Sequence, residues 1–122
     1  MTFPSISTKA TNIEITPKIE RLIEQKIAPL GRFVSNRETA VTCEVELGKV
    51  AEHQSGKIYR AEVNLTIGGK LYRAEAIEEQ IEKAIDEVRD ELKVELSKAS
   101  DKRESLFKRG GRKIKEMMHL GE

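Results

Sequence analysis

The sequence has no tryptophan, only 4% aromatic residues and a single cysteine, Cys43. Because one cysteine cannot close an internal disulfide or build a cysteine-rich metal site, both kinds of cross-link within the chain are excluded. No apolar run approaches the roughly 18 residues needed to cross a bilayer, and no N-terminal apolar stretch has signal-peptide length. We therefore expect a cytoplasmic protein.

Residues that could carry catalysis or bind a metal are few and widely separated. His53 and His119 lie about 66 positions apart, without an HExxH-type neighbour or a nearby cysteine. Cys43 alternates onto the inner face of a strand, which disfavours a cysteine nucleophile beside a histidine. We predict no enzyme, no metal and no cofactor, so the function is expected in a surface.

Size and charge set further bounds. A chain of 122 residues, 38% of them apolar, can form one small domain with an aliphatic core. The 22 basic and 21 acidic side chains nearly cancel, so the net charge of +1 indicates no class of partner. Residues 101–122 hold seven basic and four acidic side chains, a net of +3. Such a basic tail is found in proteins that bind a polyanionic partner. It is equally typical of a segment that charge keeps soluble.

The first third of the chain predicts a short strand over residues 3–10 and then an amphipathic helix. Thr16 is suited to cap the helix, and Pro17 fits the first helical position, where its missing N–H costs nothing. Pro29 is expected to bend or break the last turn. Apolar residues at about 100° spacing form one stripe: Ile19, Leu22, Ile23, Ile27, Leu30, Phe33 and Val34.

Three alternating segments follow. Strict alternation over residues 40–47 predicts a half-buried strand, and residues 48–56 form a polar loop. Gly68-Gly69 suits a two-residue hairpin turn, which would place Leu65 opposite Tyr72 and Val63 opposite Ala74. On the other face of this predicted hairpin Glu62 meets Glu75. Two like charges are unfavourable there unless a cation lies between them, and Arg60 and Arg73 are the candidates.

A second helix is predicted from about Ile77 to Ala99, with an apolar stripe that includes Ile81, Ile85 and Leu92. Residues 104–122 show little apolar periodicity and are predicted to be a mobile basic tail after a domain of residues 1–103. One apolar face on each helix and strand predicts an α+β fold. We expect a two-layer β-α-β-β-β-α sandwich with two helices on one face of a four-stranded sheet.

Three segments, in order and within about residues 3–100, carry a resemblance to a known family. They are Thr11-Asn12-Ile13-Glu14-Ile15-Thr16-Pro17, Ile23-Glu24-Gln25-Lys26-Ile27, and Leu71-Tyr72-Arg73-Ala74-Glu75-Ala76 leading to Ala84-Ile85-Asp86. Together they resemble the ribosome hibernation-promoting factors, also called ribosome-associated inhibitors or sigma-54 modulation proteins. The length resembles a short form, or a fragment of a long one.

The resemblance implies a protein that binds the small ribosomal subunit, contacting ribosomal RNA and neighbouring ribosomal proteins. The sequence leaves the oligomeric state open, and we favour a monomer. In the decoding channel it would block messenger and transfer RNA and keep ribosomes inactive under stress. Members usually have a more basic second helix. Here Glu91 takes the usual lysine position and Val94 lies near the usual arginine, and the outside of the first half of this helix is acidic.

Basic side chains are the candidates for RNA contact, because cations displace the counterions of phosphates. The main candidates are Lys26, Arg89, Lys93, Lys98, Lys102 and Arg103, and a second group is Arg60, Arg73, Lys108 and Arg109. Five of the ten also have acidic partners at helical or cross-strand spacing, as on any solvated surface. These pairs are Arg89 with Asp86, Lys93 with Asp90, Lys98 with Glu95, and Arg60 and Arg73 with Glu62 and Glu75. Lys26 falls inside the apolar stripe, where it either lies along the core edge with its ammonium in water or projects at a ligand-binding rim.

A second function is open on the same residues. The acidic face of the second helix, or an exposed edge strand, would suit a protein-interaction module without RNA contact. In that case purified ribosomes would not bind the protein, and its partner would be a basic protein.

Overall fold

The computed structural model describes residues 6–34, 40–50 and 56–119, with residues 101–119 described by their backbone alone. Over these residues the chain forms four strands, two α-helices and one 3₁₀ helix. In chain order they are β1 (Ser7–Thr11), α1 (Pro17–Lys26), the 3₁₀ helix (Ala28–Phe33), β2 (Val41–Lys49), β3 (Tyr59–Ile67), β4 (Lys70–Glu78) and α2 (Ile81–His119). No helix in this part of the chain has an apolar stretch long enough to cross a membrane.

The strands form one mixed sheet in the order β1-β2-β3-β4. β1 runs parallel to β2, so the chain between them has to cross over the sheet, and α1 and the 3₁₀ helix make this crossover. The other neighbours are antiparallel. The predicted hairpin register is confirmed, with Leu65 opposite Tyr72 and Glu62 opposite Glu75. Gly68 and Gly69 take the positive φ angles, 56° and 85°, that the two-residue turn needs.

The core lies between the sheet and the helices, in agreement with the predicted α+β sandwich. Leu65, Ile85 and Leu92 are fully buried in one continuous aliphatic cluster. Cys43 belongs to this cluster, as predicted, and burial raises the pKa of its thiol to about 12. The thiol therefore stays protonated at neutral pH and packs as a small apolar group.

The start and end of α1 follow the predicted signals. The Thr16 hydroxyl accepts a hydrogen bond from the Ile19 amide at 3.2 Å, which satisfies one of the unpaired donors of the first turn. Pro17 occupies the first helical position. α1 ends at Lys26, and Pro29 lies in the tighter 3₁₀ helix that follows, so the predicted break of the helix is confirmed.

Both predicted bounds of the second helix were wrong. α2 begins at Ile81 rather than Ile77, because β4 keeps pairing with β3 as far as Glu78. At its other end α2 continues to His119 instead of ending near Ala99, so the segment predicted to be a mobile tail has a helical backbone. Most of its residues are good helix formers, and each glycine in a helix costs only about 1 kcal/mol. The domain boundary at residue 103 stays a prediction.

Two other predicted segments have altered or partly undescribed bounds. β1 extends to Thr11, and the predicted strand start at Phe3 lies outside the described residues. Residues 51–55 of the predicted polar loop also lie outside them, whereas β2 continues to Lys49.

Candidate nucleic-acid interface

A groove between the 3₁₀ helix and α2 collects positive side chains that are far apart in the sequence. It has a volume of about 320 Å³. Its lining residues are Gln25, Lys26, Pro29, Leu30, Arg32, Arg89, Asp90 and Lys93. We call the surface formed by Lys26, Arg32, Arg89 and Lys93 the cationic groove. The structure thus brings together three of the predicted RNA-binding residues and one that the sequence analysis did not include.

Lys26 connects the two helices at the base of this groove. Its side chain is 24% exposed, and its ammonium donates a hydrogen bond to the carboxylate of Asp86 on α2. The position therefore combines features of both sequence-based alternatives: the stem lies at the edge of the core and the charge reaches the rim of the groove. Because Asp86 already binds this ammonium, a phosphate at this point would have to share it.

Arg89 is also held by acidic side chains of α2. Its Nη2 atom lies 2.9 Å from Oδ1 of Asp90, and its Nη1 atom lies 3.8 Å from Oδ1 of Asp86. The expected helical pair with Asp86 is therefore present, although the closer contact is to Asp90. Asp86 and Asp90, the acids of α2 beside the groove, are thus already engaged by Lys26 and Arg89.

Lys93 and Arg32 carry the charges of the groove that no acidic side chain of the described residues engages. Both are exposed, and within the described part of the chain neither is at salt-bridge distance from a carboxylate. The expected pair of Lys93 with Asp90 is absent, since Asp90 contacts Arg89 instead. The Arg32 guanidinium lies 4.8 Å from the centroid of the Phe33 ring, a cation–π contact that leaves its outer edge open.

Arg32 was missed because α-helical spacing was expected through this segment. In the 3₁₀ helix the chain winds at three residues per turn, which places Arg32 on the same groove as Lys26. Pro29 was the available signal, since a proline that breaks a helix changes the spacing of everything after it.

Lys98 lies outside the cationic groove. Five residues at 100° per residue turn it by about 140° from Lys93 around α2. It lines a neighbouring depression of about 490 Å³ together with Asp90, Lys93, Val94 and Ser97. The predicted partner Glu95 is not at salt-bridge distance from Lys98 among the described side chains.

Four further candidates, Lys102, Arg103, Lys108 and Arg109, lie on the helical backbone of α2, and their side chains are outside the described residues.

Arg60 and Arg73 lie on the opposite face of the sheet, away from the groove. Arg60 Nη2 contacts Oε2 of Glu62 at 2.7 Å and Oε2 of Glu75 at 2.9 Å, and Arg73 Nη2 contacts the same two atoms at 2.6 and 3.2 Å. Two arginines thus lie between the two facing glutamates, as the hairpin register predicted. Their part in RNA binding stays a prediction.

Glu62 is the centre of this network. It is 5% exposed, although it lies on the open face, because the arginine side chains and Asn64 cover it. Hydrogen bonds from Arg73 and from Asn64 lower the pKa of its carboxyl to about 2. The Glu62 carboxyl therefore remains ionised throughout the physiological pH range.

The flank of α2 that points away from α1 is acidic. A hydrogen bond between the carboxyls of Glu87 and Glu78, the last residue of β4, raises the pKa of Glu87 and lowers that of Glu78. Glu91 and Glu95 follow Glu87 at four-residue intervals, and all three are exposed. We call Glu87, Glu91 and Glu95 the acidic ridge. In the described residues no group of histidine, cysteine or acidic side chains is arranged to hold a metal ion.

Comparison with known proteins places this geometry in a family. The family model for "Sigma 54 modulation protein / S30EA ribosomal protein" matches residues 6–104. The fold is similar to the N-terminal domain of Protein Y from Thermus thermophilus, with 26% identity and a TM-score of 0.62 over 76% of this chain and 96% of that chain.

A second solved structure, a ribosomal subunit interface protein from Coxiella burnetii, has the same fold. It is 19% identical with a TM-score of 0.59, over 79% of this chain and 97% of that chain. No curated protein matches the sequence. Since the family model spans all four described strands, α1, and α2 as far as residue 104, the chain belongs to the sigma 54 modulation protein / S30EA ribosomal protein family, as the resemblance of its three segments predicted.

Proposed function

We propose that this protein is a non-catalytic ribosome-binding factor. In this proposal it occupies the decoding channel of the small subunit in the cytoplasm, excludes messenger and transfer RNA, and keeps ribosomes inactive under stress. Membership of a family described as ribosomal supports association with ribosomes. The structurally similar Coxiella burnetii protein is named a ribosomal subunit interface protein, which also supports association with ribosomes.

The cationic groove is the observation that carries the proposal. It presents four cations from three elements at one surface, and Arg32 and Lys93 have no acidic partner there among the described residues. Folded RNA is recognised mainly by its shape and phosphate backbone, so a rigid surface with fixed cations is suitable. The scarcity of aromatic residues argues against binding of single strands by base stacking.

The mechanism that follows is steric. A domain with one continuous core does not need to change shape to exclude a second ligand from the channel that it fills. Binding energy comes from phosphate contacts that release condensed counterions, so affinity should fall as salt concentration rises. Lys98, Lys102 and Arg103 would extend these contacts along α2 beyond the groove.

Sedimentation of the protein with purified ribosomes through sucrose gradients, at low and moderate salt, tests the proposal. We expect the wild type to travel with the small subunit or whole ribosome and to dissociate as salt rises. Arg32→Glu/Lys93→Glu should weaken binding by about tenfold or more, since each lost phosphate contact is worth on the order of 1 kcal/mol.

Lys9→Glu/Lys83→Glu is the matched control. It makes the same change in net charge at exposed lysines outside the groove, so it should bind nearly as the wild type does. A third variant, Lys98→Glu/Lys102→Glu/Arg103→Glu, measures the contribution of the helix beyond the groove. Equal binding by the wild type, the groove variant and the control would show that the cationic groove does not contribute to ribosome binding.

The acidic ridge supports a second candidate function, a protein-binding module without RNA contact. Glu87, Glu91 and Glu95 are exposed on the flank of α2 opposite the groove, so the two functions would use separate surfaces. A protein that stays at the top of the gradient at both salt concentrations would favour this candidate. Replacing the ridge by glutamine should then abolish capture of a basic protein partner while the fold is kept.

A further inference from the structure

The outer edge of β4 carries backbone groups available for pairing. The Gly68 amide donates to the Ala40 carbonyl, on the β2 side, at 2.9 Å, so the backbone groups of Ile67 point toward β4. By the same alternation the N–H and C=O groups of four β4 residues point away from β3, namely those of Leu71, Arg73, Glu75 and Ile77. No other strand of the described chain pairs with this edge.

The protection of this edge against pairing consists of charged side chains alone. β4 is nine residues long and contains no proline and no glycine, which are common ways to block an edge strand. Leu71 is 57% exposed and Ile77 is 39% exposed, and both lie on the open face near the two ends of the strand. A long edge strand with exposed apolar side chains at both ends is a template for another strand.

We propose that β4 pairs with β4 of a second copy, antiparallel and about a two-fold axis through Ala74. In this register Lys70 lies opposite Glu78 of the second copy, and Arg73 lies opposite Glu75 of the second copy. Leu71 likewise meets Ile77 of the second copy. Every charged residue of the strand thus faces the opposite charge, and the two exposed apolar residues face each other.

The neighbouring registers lack this complementarity. Because the outward-pointing groups belong to alternate residues, the axis can move along the strand only by whole residues. An axis at Arg73 places that arginine opposite itself, and an axis at Glu75 does the same for the glutamate. Ala74 is also the central residue of β4, so the complementary register gives the longest overlap as well.

The resulting assembly is an eight-stranded sheet with the helices of both copies on the same side. Lys70 of the second copy approaches Glu78, whose carboxylate also lies 3.9 Å from Lys57 Nζ of its own chain. The acidic ridges of the two copies also approach one another, which opposes association, so we expect a weak and reversible dimer. The cationic groove lies on the opposite flank of α2 and remains open. The proposal goes beyond the proposed function and does not rest on it.

Charge exchange between two variants tests the pairing. Lys70→Glu places an acid opposite Glu78 of the second copy at both ends of the interface, and Glu78→Lys places two lysines opposite each other in the same way. Each variant alone should associate about tenfold more weakly than the wild type. An equimolar mixture restores both opposite-charge pairs and should associate as the wild type does. Sedimentation velocity over a concentration series measures all three, with Lys9→Glu, on β1 at the other edge of the sheet, as the exposed control.

Circular dichroism checks that each variant is folded, and amide exchange gives an independent measurement. In the wild type the amides of Leu71, Arg73, Glu75 and Ile77 should become protected as protein concentration rises. A wild type that stays monomeric to its highest soluble concentration would overturn the proposal. Single variants that associate like the wild type, or a mixture that does not recover, would overturn it too.

Discussion

The two flanks of α2 have opposite chemistry although they share one buried stripe. Toward α1, Asp86 and Asp90 are engaged by Lys26 and Arg89, so the charge left open there is positive. Toward the free edge of the sheet, the acidic ridge is exposed. The acidic composition of this helix therefore does not make its groove acidic.

A truncation within the shared buried stripe should have the largest effect on stability, because this stripe holds the whole helix, and therefore both flanks, against the sheet. Leu92 is fully buried between the helix and the sheet. Leu92→Ala should lower the free energy of unfolding by about 2–5 kcal/mol, through lost apolar burial and the cavity left behind. Urea denaturation measures this loss. Val94→Ala, at a half-exposed position of the same helix, should change stability by well under 1 kcal/mol, and equal losses would contradict the assigned packing.

Glu62 tests whether the ion pairs of the open sheet face contribute more than the exposed charges of α2. Its folded-state pKa of about 2 lies below the ordinary 4.5, so its stabilisation is present above about pH 4.5 and is lost as pH falls toward 2. After screening on the exposed arginines it amounts to on the order of 2 kcal/mol.

Glu62→Gln should therefore be less stable than the wild type at pH 7, and the difference should shrink toward zero near pH 2. Urea unfolding of both proteins across this range measures the difference directly. A difference that stays constant with pH would mean that Glu62 stabilises by packing rather than by charge.

Asp86→Asn tests the difference between the two flanks and should have the smallest effect of these variants. The change releases the Lys26 ammonium, and the pair is partly exposed, so the stability cost should stay below about 1 kcal/mol. Ribosome affinity should rise by about threefold, since one more cation becomes available to phosphate. Glu91→Gln makes the same charge change on the other flank and should leave affinity nearly unchanged. Equal gains from both would indicate that net charge alone decides binding.

Local rules were sufficient for much of the fold. The hairpin register followed from Gly68-Gly69 and the alternation around it, and it also predicted that arginines would separate Glu62 from Glu75. The Thr16 cap followed from side-chain chemistry alone. Each of these depends on neighbours within one element or one tight turn, and such contacts are visible in sequence spacing.

The site was harder to predict because it depends on contacts between elements. The pairing of Lys26 with Asp86 joins residues 60 positions apart, and Arg32 reaches the groove only through the change to 3₁₀ winding. The start of α2 was misplaced because Ile77 fits a helical stripe and also a strand, and only pairing with Arg60 on β3 distinguishes the two.

The salt dependence of ribosome binding tests the central claim, that the flank of α2 facing α1 is the RNA-binding surface. Arg32→Gln/Lys93→Gln neutralises two groove cations, and Lys9→Gln/Lys83→Gln neutralises two lysines elsewhere. If each groove cation contacts a phosphate, the first variant should reduce the slope of log affinity against log salt by about 1.5, and the second should leave it unchanged. Equal slopes for the two variants would contradict the account.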